Sequence, residues 1–257
     1  MAGAGSEAEM SFWDHLDELR GTLFRSIAAI CLGASLGLIF KEFLFEGIIL
    51  APSRPDFIVY RLLGWDFSMQ LINVELSAQF FVHLKASFAA GLVVAFPYVV
   101  WELWRFIAPA LYEREKGPVR TAFALSTGLF YLGVAVGYFI VLPVCLRFFL
   151  TYTVSDAVAN TITLGSYMSM FFGMVLLIGI AFEFPTVVMA LGRLGVVRRE
   201  SLRKGRKYAI VLVLVLAALI TPADPFSMFV LAVPLYLLYE LSILLCLKSA
   251  EKPEANG

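Results

Sequence analysis

Long apolar runs constrain this chain more than any other feature of its sequence. A helix needs about 20 predominantly apolar residues to cross the hydrocarbon core of a bilayer. Runs with few charges occur at about 22–44, 76–103, 121–143, 165–192, 208–220 and 226–247. The sequence therefore predicts an all-α integral membrane protein with six transmembrane helices, between a disordered tail at 1–10 and a polar tail at 249–257.

The composition argues against a soluble protein. Hydrophobic residues make up 60% of the chain and charged residues 16%, whereas soluble domains average about 45–50% and about 25%. The net charge is zero, so we expect no nucleic-acid partner. His15 and His83 lie far apart, and Cys31, Cys145 and Cys246 show no paired spacing. We therefore expect neither a metal site nor a cofactor.

The distribution of Lys and Arg predicts the orientation in the membrane. If the N-terminus is cytoplasmic, fifteen of the twenty basic residues fall in cytoplasmic segments. Short cytoplasmic loops of membrane proteins carry an excess of basic residues. An even number of spans also puts both termini on the same side. We therefore expect cytoplasmic N- and C-termini for a six-span membrane domain at 11–248.

The last two spans are predicted to be short. Residues 208–220 number thirteen, which gives a helix of about 20 Å against a hydrocarbon core of about 30 Å. Glu240 interrupts the sixth span, and the turn "TPADPF" joins the two. Such a hairpin either thins the bilayer or leans on neighbouring helices. Two tilted or poorly bounded helices are the alternative.

Acidic residues precede the first span in the stretch "SFWDHLDELRGTLFRS", residues 11–26. Asp14, Asp17 and Glu18 come before Arg20, which is the order that the helix macrodipole favours. The pattern predicts the start of an amphipathic helix with a carboxylate-bearing face. Plain helix capping and solvation explain the same residues equally well.

A second cytoplasmic stretch, "WRFIAPALYEREKGPVR", joins the second and third spans. We expect Pro109 to break the helix, because proline lacks the N–H group that helical hydrogen bonding needs. Leu111 and Tyr112 then offer apolar contact, and Glu113 and Glu115 provide carboxylates. Because basic residues follow closely, a solvated loop with neutralised charges is the alternative.

Four stretches resemble motifs of the TatC family, the multispanning receptor of the twin-arginine protein-export pathway. "HLDELR" resembles the family's N-terminal signature, and "WRFIAPALYERE" its first cytoplasmic loop. "FEFP" resembles its fourth-span motif, and "TPADPFS", which contains Pro222 and Asp224, its last external turn. The four stretches occur in the family's order and, with six spans, cover nearly the whole chain.

The resemblance implies a concave, all-helical cup in the inner membrane that binds a signal peptide with two adjacent arginines. It implies export of folded proteins with proton-motive force, by several copies assembled with single-span TatA- and TatB-type subunits. The family's recognition positions correspond to Glu18, Arg20, Phe106, Leu111, Tyr112 and Glu115. Arginine pairs bidentately with a carboxylate whereas lysine acts as a point charge, so two acids can discriminate an arginine pair without any catalytic step.

Three positions depart from the family's pattern. Gly21 and Thr22 stand where relatives often carry basic residues, and Met228 stands where they often carry glutamine. The change at Met228 alters a polar contact that the family pattern would otherwise imply. We therefore assign no polar role to this position.

Glu183 is an acid within a run that is otherwise apolar from Tyr167 to Gly192. It lies ten residues before Arg193, about 15 Å along a helix and therefore near mid-membrane. An ionisable residue at this depth usually faces the interior of a bundle or water. We expect it on the inner face of the cup, where partner helices or a signal hairpin dock. A structural hydrogen bond to a neighbouring helix is the alternative.

Two other classes of function compete with an export receptor. An ion-coupled small-molecule carrier would use Glu183, Lys85 and Glu240 as a proton relay, but the short last hairpin and the lack of internal repeats weigh against it. A membrane enzyme is disfavoured because the sequence shows no nucleophile–base pair, metal cluster or phosphate loop.

Overall fold

The computed structural model describes residues 12–65, 69–111, 117–155, 161–193, 196–221 and 224–250. Within these residues, five helices are long and apolar enough to cross a membrane: Leu16–Ile39, Ala78–Ile107, Ala122–Thr151, Leu164–Gly192 and Pro225–Cys246. The prediction of a mainly helical membrane protein is therefore confirmed. The predicted span 208–220 lies within a helix of 15 residues, Arg206–Ile220, which is shorter than these five. The prediction that the sixth span is also short is wrong, because Pro225–Cys246 has 22 residues and its helix continues through Glu240, which is hydrogen-bonded to Arg206 and Tyr236. The predicted tail at 1–10 and most of the one at 249–257 lie outside the described residues.

Helices make up most of the described chain. In chain order they are α1 (Phe12–Ile39), α2 (Ile58–Leu63), α3 (Ala78–Leu111), α4 (Gly117–Val136), α5 (Leu142–Thr151), α6 (Leu164–Phe171), α7 (Ile178–Ala181), α8 (Phe184–Arg193), α9 (Arg199–Lys204), α10 (Arg206–Ile220) and α11 (Pro225–Ala250). π-Helical segments occur at Phe43–Ile49, Gly137–Val141 and Phe172–Leu177, and a 3-10 helix at Ala51–Ser53.

Two of the five long helices, called rods from here on, are not regular α-helices throughout, and each departs from regularity near a proline. The rod Ala122–Thr151 passes from α4 through the π-helical segment Gly137–Val141 into α5, where Pro143 lies at the start. The rod Leu164–Gly192 ends α7 at Ala181 and begins α8 just before Pro185. Since proline supplies no N–H to the carbonyl one turn earlier, one hydrogen bond of the regular ladder is missing at each of these points.

The segments on the predicted external side pack onto the ends of the rods. The hydroxyl of Tyr138 donates to the carbonyl of Ile48 over 2.7 Å, and the guanidinium of Arg147 lies 4.0 Å from the centre of the Trp65 ring. Two short strands, β1 (Leu71–Ile72) and β2 (Ile162–Thr163), pair in parallel with Leu71 opposite Ile162. The two segments that are predicted to be external are therefore joined to each other.

α1 and α3 cross with their backbones in direct contact. A Cβ atom built on Gly91 would lie 2.5 Å from the backbone nitrogen of Ala34, and one built on Gly33 would lie 2.9 Å from the Cα of Gly91. Gly37 approaches Ser87 in the same way, at 3.0 Å. Small residues allow this close approach. In a membrane, the van der Waals packing that results stabilises the helix pair, because the hydrophobic effect does not drive helices together in lipid.

The main core lies where the rods α4–α5 and α6–α8 meet α11. Leu142, Tyr167, Met174, Ile178 and Leu231 are fully buried there. Many large apolar side chains on the outer surfaces of the helices are exposed instead, including Leu32, Ile39, Leu212 and Leu219. An apolar surface this extensive is expected of helices that face lipid.

Candidate functional site

The N-terminal part of α1, which is predicted to be cytoplasmic, presents its predicted recognition residues on different sides. Thr22 and Ser26, one turn apart, are buried, so they mark the side of α1 that packs against the rest of the molecule. Glu18 lies one turn before Thr22 on this side and is half-buried. Arg20 is exposed, and its guanidinium lies 5.6 Å from the centre of the Phe24 ring. The structure therefore turns Glu18 inward and Arg20 outward.

An ion pair that the sequence analysis missed joins α1 to α3 nearby. The Nε and Nη2 atoms of Arg25 lie 2.8 and 2.7 Å from Oε2 of Glu102, whose residue is only 3% exposed. Nη2 of Arg25 also donates to the hydroxyl of Thr22 over 3.3 Å. The sequence signal was present, because a lone acid inside the predicted span 76–103 requires a partner.

The C-terminal end of α3, which is predicted to be cytoplasmic, continues past the predicted helix break. Pro109 lies inside α3, which ends at Leu111, so the expectation that Pro109 breaks the helix is wrong. This proline is two residues from the helix end, where its missing N–H affects only the last turn. Phe106 is half-buried on this helix. Tyr112 and Glu115 lie outside the described residues.

Glu183 lies at the junction between α7 and α8, where it is half-buried. Its backbone N–H donates to Ile180 over 3.0 Å, and its carbonyl accepts from Thr186 and Val187, each over 3.0 Å. The hydroxyl of Ser126, on α4, donates to Oε2 of Glu183. The structural hydrogen bond that the sequence analysis left as an alternative is therefore present.

One carboxylate oxygen of Glu183 is left unpaired, as are two threonine hydroxyls that lie near Glu183 or Ser126 in the sequence. Oε1 of Glu183 and the hydroxyls of Thr127 and Thr186 are buried, and none has a hydrogen-bond partner among the described residues. Thr186 is one turn after Glu183, and Thr127 follows Ser126 on α4. Unpaired buried groups are costly, so Oε1 of Glu183 retains capacity for a further hydrogen bond.

The predicted external turn caps the last helix. Asp224 lies one residue before α11 begins, and its Oδ1 atom accepts a hydrogen bond from the backbone N–H of Ser227 over 2.7 Å. This is the hydrogen bond of a helix N-cap, which satisfies one of the free N–H groups of the first turn. The ring of Phe226 stacks on Phe148 of α5 at 4.1 Å, which fixes the same end of α11. Pro222 lies outside the described residues.

The carboxylates and lysine of the carrier hypothesis belong to three separate sites. Glu240 on α11 accepts from Arg206 over 2.8 Å and from Tyr236 over 3.0 Å. Lys85 is exposed in the first third of α3, and Glu183 is bonded to Ser126. Among the described residues, no group of three His, Cys, Asp or Glu side chains lies together as a metal site would require.

Comparison with known proteins accounts for this combination of helices and motifs. The sequence profile of the family described as "Sec-independent protein translocase protein (TatC)" matches residues 14–234. The chain belongs to the TatC family. The matched region contains every predicted site residue from Glu18 to Asp224.

TatC relatives resemble the chain over most of its length. The Sec-independent protein translocase protein TatC of Blattabacterium sp. subsp. Periplaneta americana is 35% identical over 250 residues, covering 91% of this chain and 94% of the relative. The TatC of Aquifex aeolicus is 36% identical over 240 residues, covering 92% and 94%. A crystal structure of the twin arginine translocase receptor TatC is 35% identical, with a TM-score of 0.78 over 92% of this chain and 100% of that one.

Proposed function

We propose that this chain is the receptor subunit of a twin-arginine protein export system in the inner membrane. It binds the twin-arginine signal peptides of folded proteins at its cytoplasmic face. It assembles in several copies with single-span TatA- and TatB-type subunits, and the complex uses proton-motive force to move cargo across the membrane. The observation that carries the proposal is the similarity to the twin arginine translocase receptor TatC over nearly the whole of both chains.

The recognition site consists of the cytoplasmic part of α1 and the segment that follows α3. Glu18 is half-buried on the inward side of α1. The attraction between a carboxylate and a guanidinium is stronger there than in bulk water. Glu115 supplies the second carboxylate, and Phe106, Leu111 and Tyr112 supply the apolar contact for the signal peptide. Arg20 faces outward beside Phe24, where it steers the orientation of the bound peptide through its charge.

The membrane topology comprises six spans, a concave cup and cytoplasmic termini. This topology requires α10 to cross the membrane, although its 15 residues give only about 22 Å of helix against about 30 Å of hydrocarbon. The basic residues of α9 support the orientation, because they lie immediately before α10. A cysteine introduced in α9 is then labelled only from the cytoplasmic side, and labelling from outside rejects this topology.

Glu183 serves as a docking point for partner helices within the cup. The support is its buried Oε1 atom, which has no hydrogen-bond partner among the described residues. A partner helix that carries a polar side chain at this depth satisfies this atom, which lipid leaves unpaired.

The Glu183 docking proposal predicts that Glu183→Ala lowers both export and crosslinking of partner helices to α8. Signal-peptide binding should persist, because the recognition site is about 15 Å away along the helix axis. Glu183→Gln keeps the hydrogen-bonding capacity but cannot ionise. Retained export in this variant would mean that a neutral docking contact suffices, and lost export would mean that ionisation is required. Wild-type crosslinking and export in Glu183→Ala would overturn the docking role.

The receptor proposal predicts that Glu18→Ala and Glu115→Ala each weaken binding of a twin-arginine signal peptide, by about 1.5–3 kcal/mol for a hydrogen bond to a charged group. Binding to the complete protein in a lipid environment measures this, with a twin-lysine peptide as the matched control ligand. The twin-lysine peptide should bind weakly to the unsubstituted chain, because lysine does not form the bidentate pair.

Two results would contradict the receptor proposal. One is wild-type affinity in the Glu18→Ala, Glu115→Ala double variant. The other is equal affinity of the unsubstituted chain for the twin-arginine and twin-lysine peptides. Uptake of a small solute by liposomes that contain this chain alone would favour the carrier hypothesis instead.

A further inference from the structure

We propose that the ion pair between Arg25 and Glu102 is a positioning element that orients the recognition acid Glu18. The inference rests on the proposed function, since it concerns how the signal-peptide site is held in shape. Neither Arg25 nor Glu102 contacts the signal peptide in this proposal. They act through the rotation of the cytoplasmic end of α1.

The side of α1 that carries Glu18 is defined by its helical spacing. Glu18, Thr22, Arg25 and Ser26 lie at intervals of four, three and one residues, so they share one side of the helix. Thr22 and Ser26 on this side are buried, and Arg25 reaches α3. Glu18 is therefore the outermost member of a stripe that faces α3.

The close backbone contact between α1 and α3 lies away from Glu18. It spans Ile30 to Gly37, twelve to nineteen residues beyond Glu18, or about 18 to 28 Å along the helix. Arg25 is only seven residues away, about 10 Å. The ion pair is thus much nearer to the recognition acid than the glycine contact.

The geometry of the ion pair restrains rotation as well as distance. Two nitrogens of Arg25 converge on one carboxylate oxygen of Glu102, and the guanidinium also bonds to Thr22 on its own helix. Glu102 is 3% exposed, so its charge has little access to water and is strongly disfavoured without a partner. A rotation of α1 away from α3 would leave this buried carboxylate unpaired.

The consequence for recognition is a fixed direction for the Glu18 carboxylate. With the ion pair formed, Glu18 faces the cytoplasmic end of α3, where Phe106 lies and where the segment with Glu115 begins. Bidentate pairing with a guanidinium requires a narrow range of carboxylate orientations. Loss of the ion pair should therefore reduce affinity for arginine more than affinity for lysine, whose point charge is less directional.

The test compares Glu102→Leu with Glu102→Gln in the full chain reconstituted in lipid. The leucine variant removes the acceptor, whereas glutamine keeps an oxygen that accepts from Arg25. We expect Glu102→Leu to weaken twin-arginine peptide binding about tenfold, within the range of couplings carried by non-contacting residues. The preference for twin-arginine over twin-lysine peptide should narrow in parallel. Glu102→Gln should stay within about threefold of the unsubstituted affinity.

A matched control makes the same chemical change elsewhere on the cytoplasmic side. Glu200→Leu replaces an exposed acid in α9 and should leave both affinity and peptide preference unchanged. The number of binding sites per protein is measured for every variant. A merely structural ion pair would lower the number of sites through misfolding but leave the affinity and preference of the remaining sites intact.

Several results would overturn the inference. It is wrong if Glu102→Leu keeps the unsubstituted affinity and preference, or if only its number of sites falls. If Glu102→Leu does not fold, the charge swap Arg25→Glu with Glu102→Arg replaces it. The swap should bind within about threefold of the unsubstituted chain while each single substitution binds at least tenfold more weakly, and a failure to rescue rejects the inference.

The two proposals fail in distinguishable ways. If Glu18→Ala and Glu115→Ala leave binding intact, the recognition site itself is wrong, whatever Glu102 does. If those variants lose binding while Glu102→Leu binds normally, the recognition site stands and only the positioning role falls.

Discussion

The helix pairs α1–α3 and α10–α11 each contain an arginine–glutamate ion pair, but different contacts hold them together. In α1–α3, Gly91 brings the two backbones into direct contact. In α10–α11, the inward side of α10 consists of Ala209, Val213 and Ala217, and its other sides are largely exposed. The first pair is therefore set by backbone contact, and the second by a single narrow stripe of side chains.

The two ion pairs also differ in how deeply the acid is buried. The carboxylate side chain of Glu102 is 4% exposed and that of Glu240 is 31% exposed, although their arginine partners are similarly exposed at 46% and 47%. Water therefore screens the Arg206–Glu240 pair much more than the Arg25–Glu102 pair. The two ion pairs join the same types of residue, but breaking them has different consequences. The burial of the acid decides how much free energy its unpaired charge costs.

The largest effect that this comparison predicts is at Gly91. A Cβ atom there would lie 2.5 Å from the nitrogen and 2.6 Å from the oxygen of backbone groups on α1, so Gly91→Ala forces the two helices apart. We expect a loss of about 1–3 kcal/mol in the free energy of unfolding, the usual cost of overpacking. Unfolding in mixed micelles measures it.

Gly128→Ala is the matched control for Gly91→Ala. A Cβ atom on Gly128 meets nothing within 4 Å, and alanine has a higher helix propensity than glycine. Stability should therefore stay equal or rise by up to about 1 kcal/mol. Equal destabilisation by the two substitutions would show that the backbone contact is not what distinguishes α1–α3 from α10–α11.

An intermediate effect is expected at the start of α11. Asp224→Ala removes the acceptor for the Ser227 N–H, and loss of a helix N-cap costs about 1 kcal/mol. Asp224→Asn keeps an accepting oxygen and should restore most of the stability. If alanine and asparagine behave alike in the unfolding measurement, Asp224 does not stabilise the hairpin through capping.

The smallest effect should come from Arg206→Gln. The pair with Glu240 is exposed, and exposed ion pairs contribute little because water and salt screen them. We expect unfolding to be unchanged within error at high salt, with only a slight loss at low salt. A loss as large as that of Gly91→Ala would mean that α10–α11 depends on its ion pair, contrary to the comparison.

The sequence predicted the class of fold because hydrophobic runs and charge bias are local properties. Five of the predicted spans correspond to long apolar helices, and the short length expected for 208–220 agrees with the 15 residues of α10. The break at Pro109 was wrong, since a proline near the end of a helix affects only the last turn. Four short motifs also sufficed to identify the family.

The contacts that position the site were beyond the sequence alone. Arg25 and Glu102 are 77 residues apart, and Ser126 and Glu183 are 57 apart. No local period relates such residues, because which sides of two helices meet depends on how all the rods pack. The sequence analysis singled out Glu183 as an acid inside a span, without its partner, and did not identify Glu102.

The sequence by itself thus determined the membrane environment, the family and the polar residues that a bilayer makes costly. Each of these follows from transfer free energies and short motifs, which are read one segment at a time. The tertiary structure decided the partners of Glu102 and Glu183 and the side of α1 on which Glu18 lies. The physical reason is that these outcomes depend on helix crossings, and the crossing of α1 and α3 was set by glycines that a single segment does not reveal as a contact.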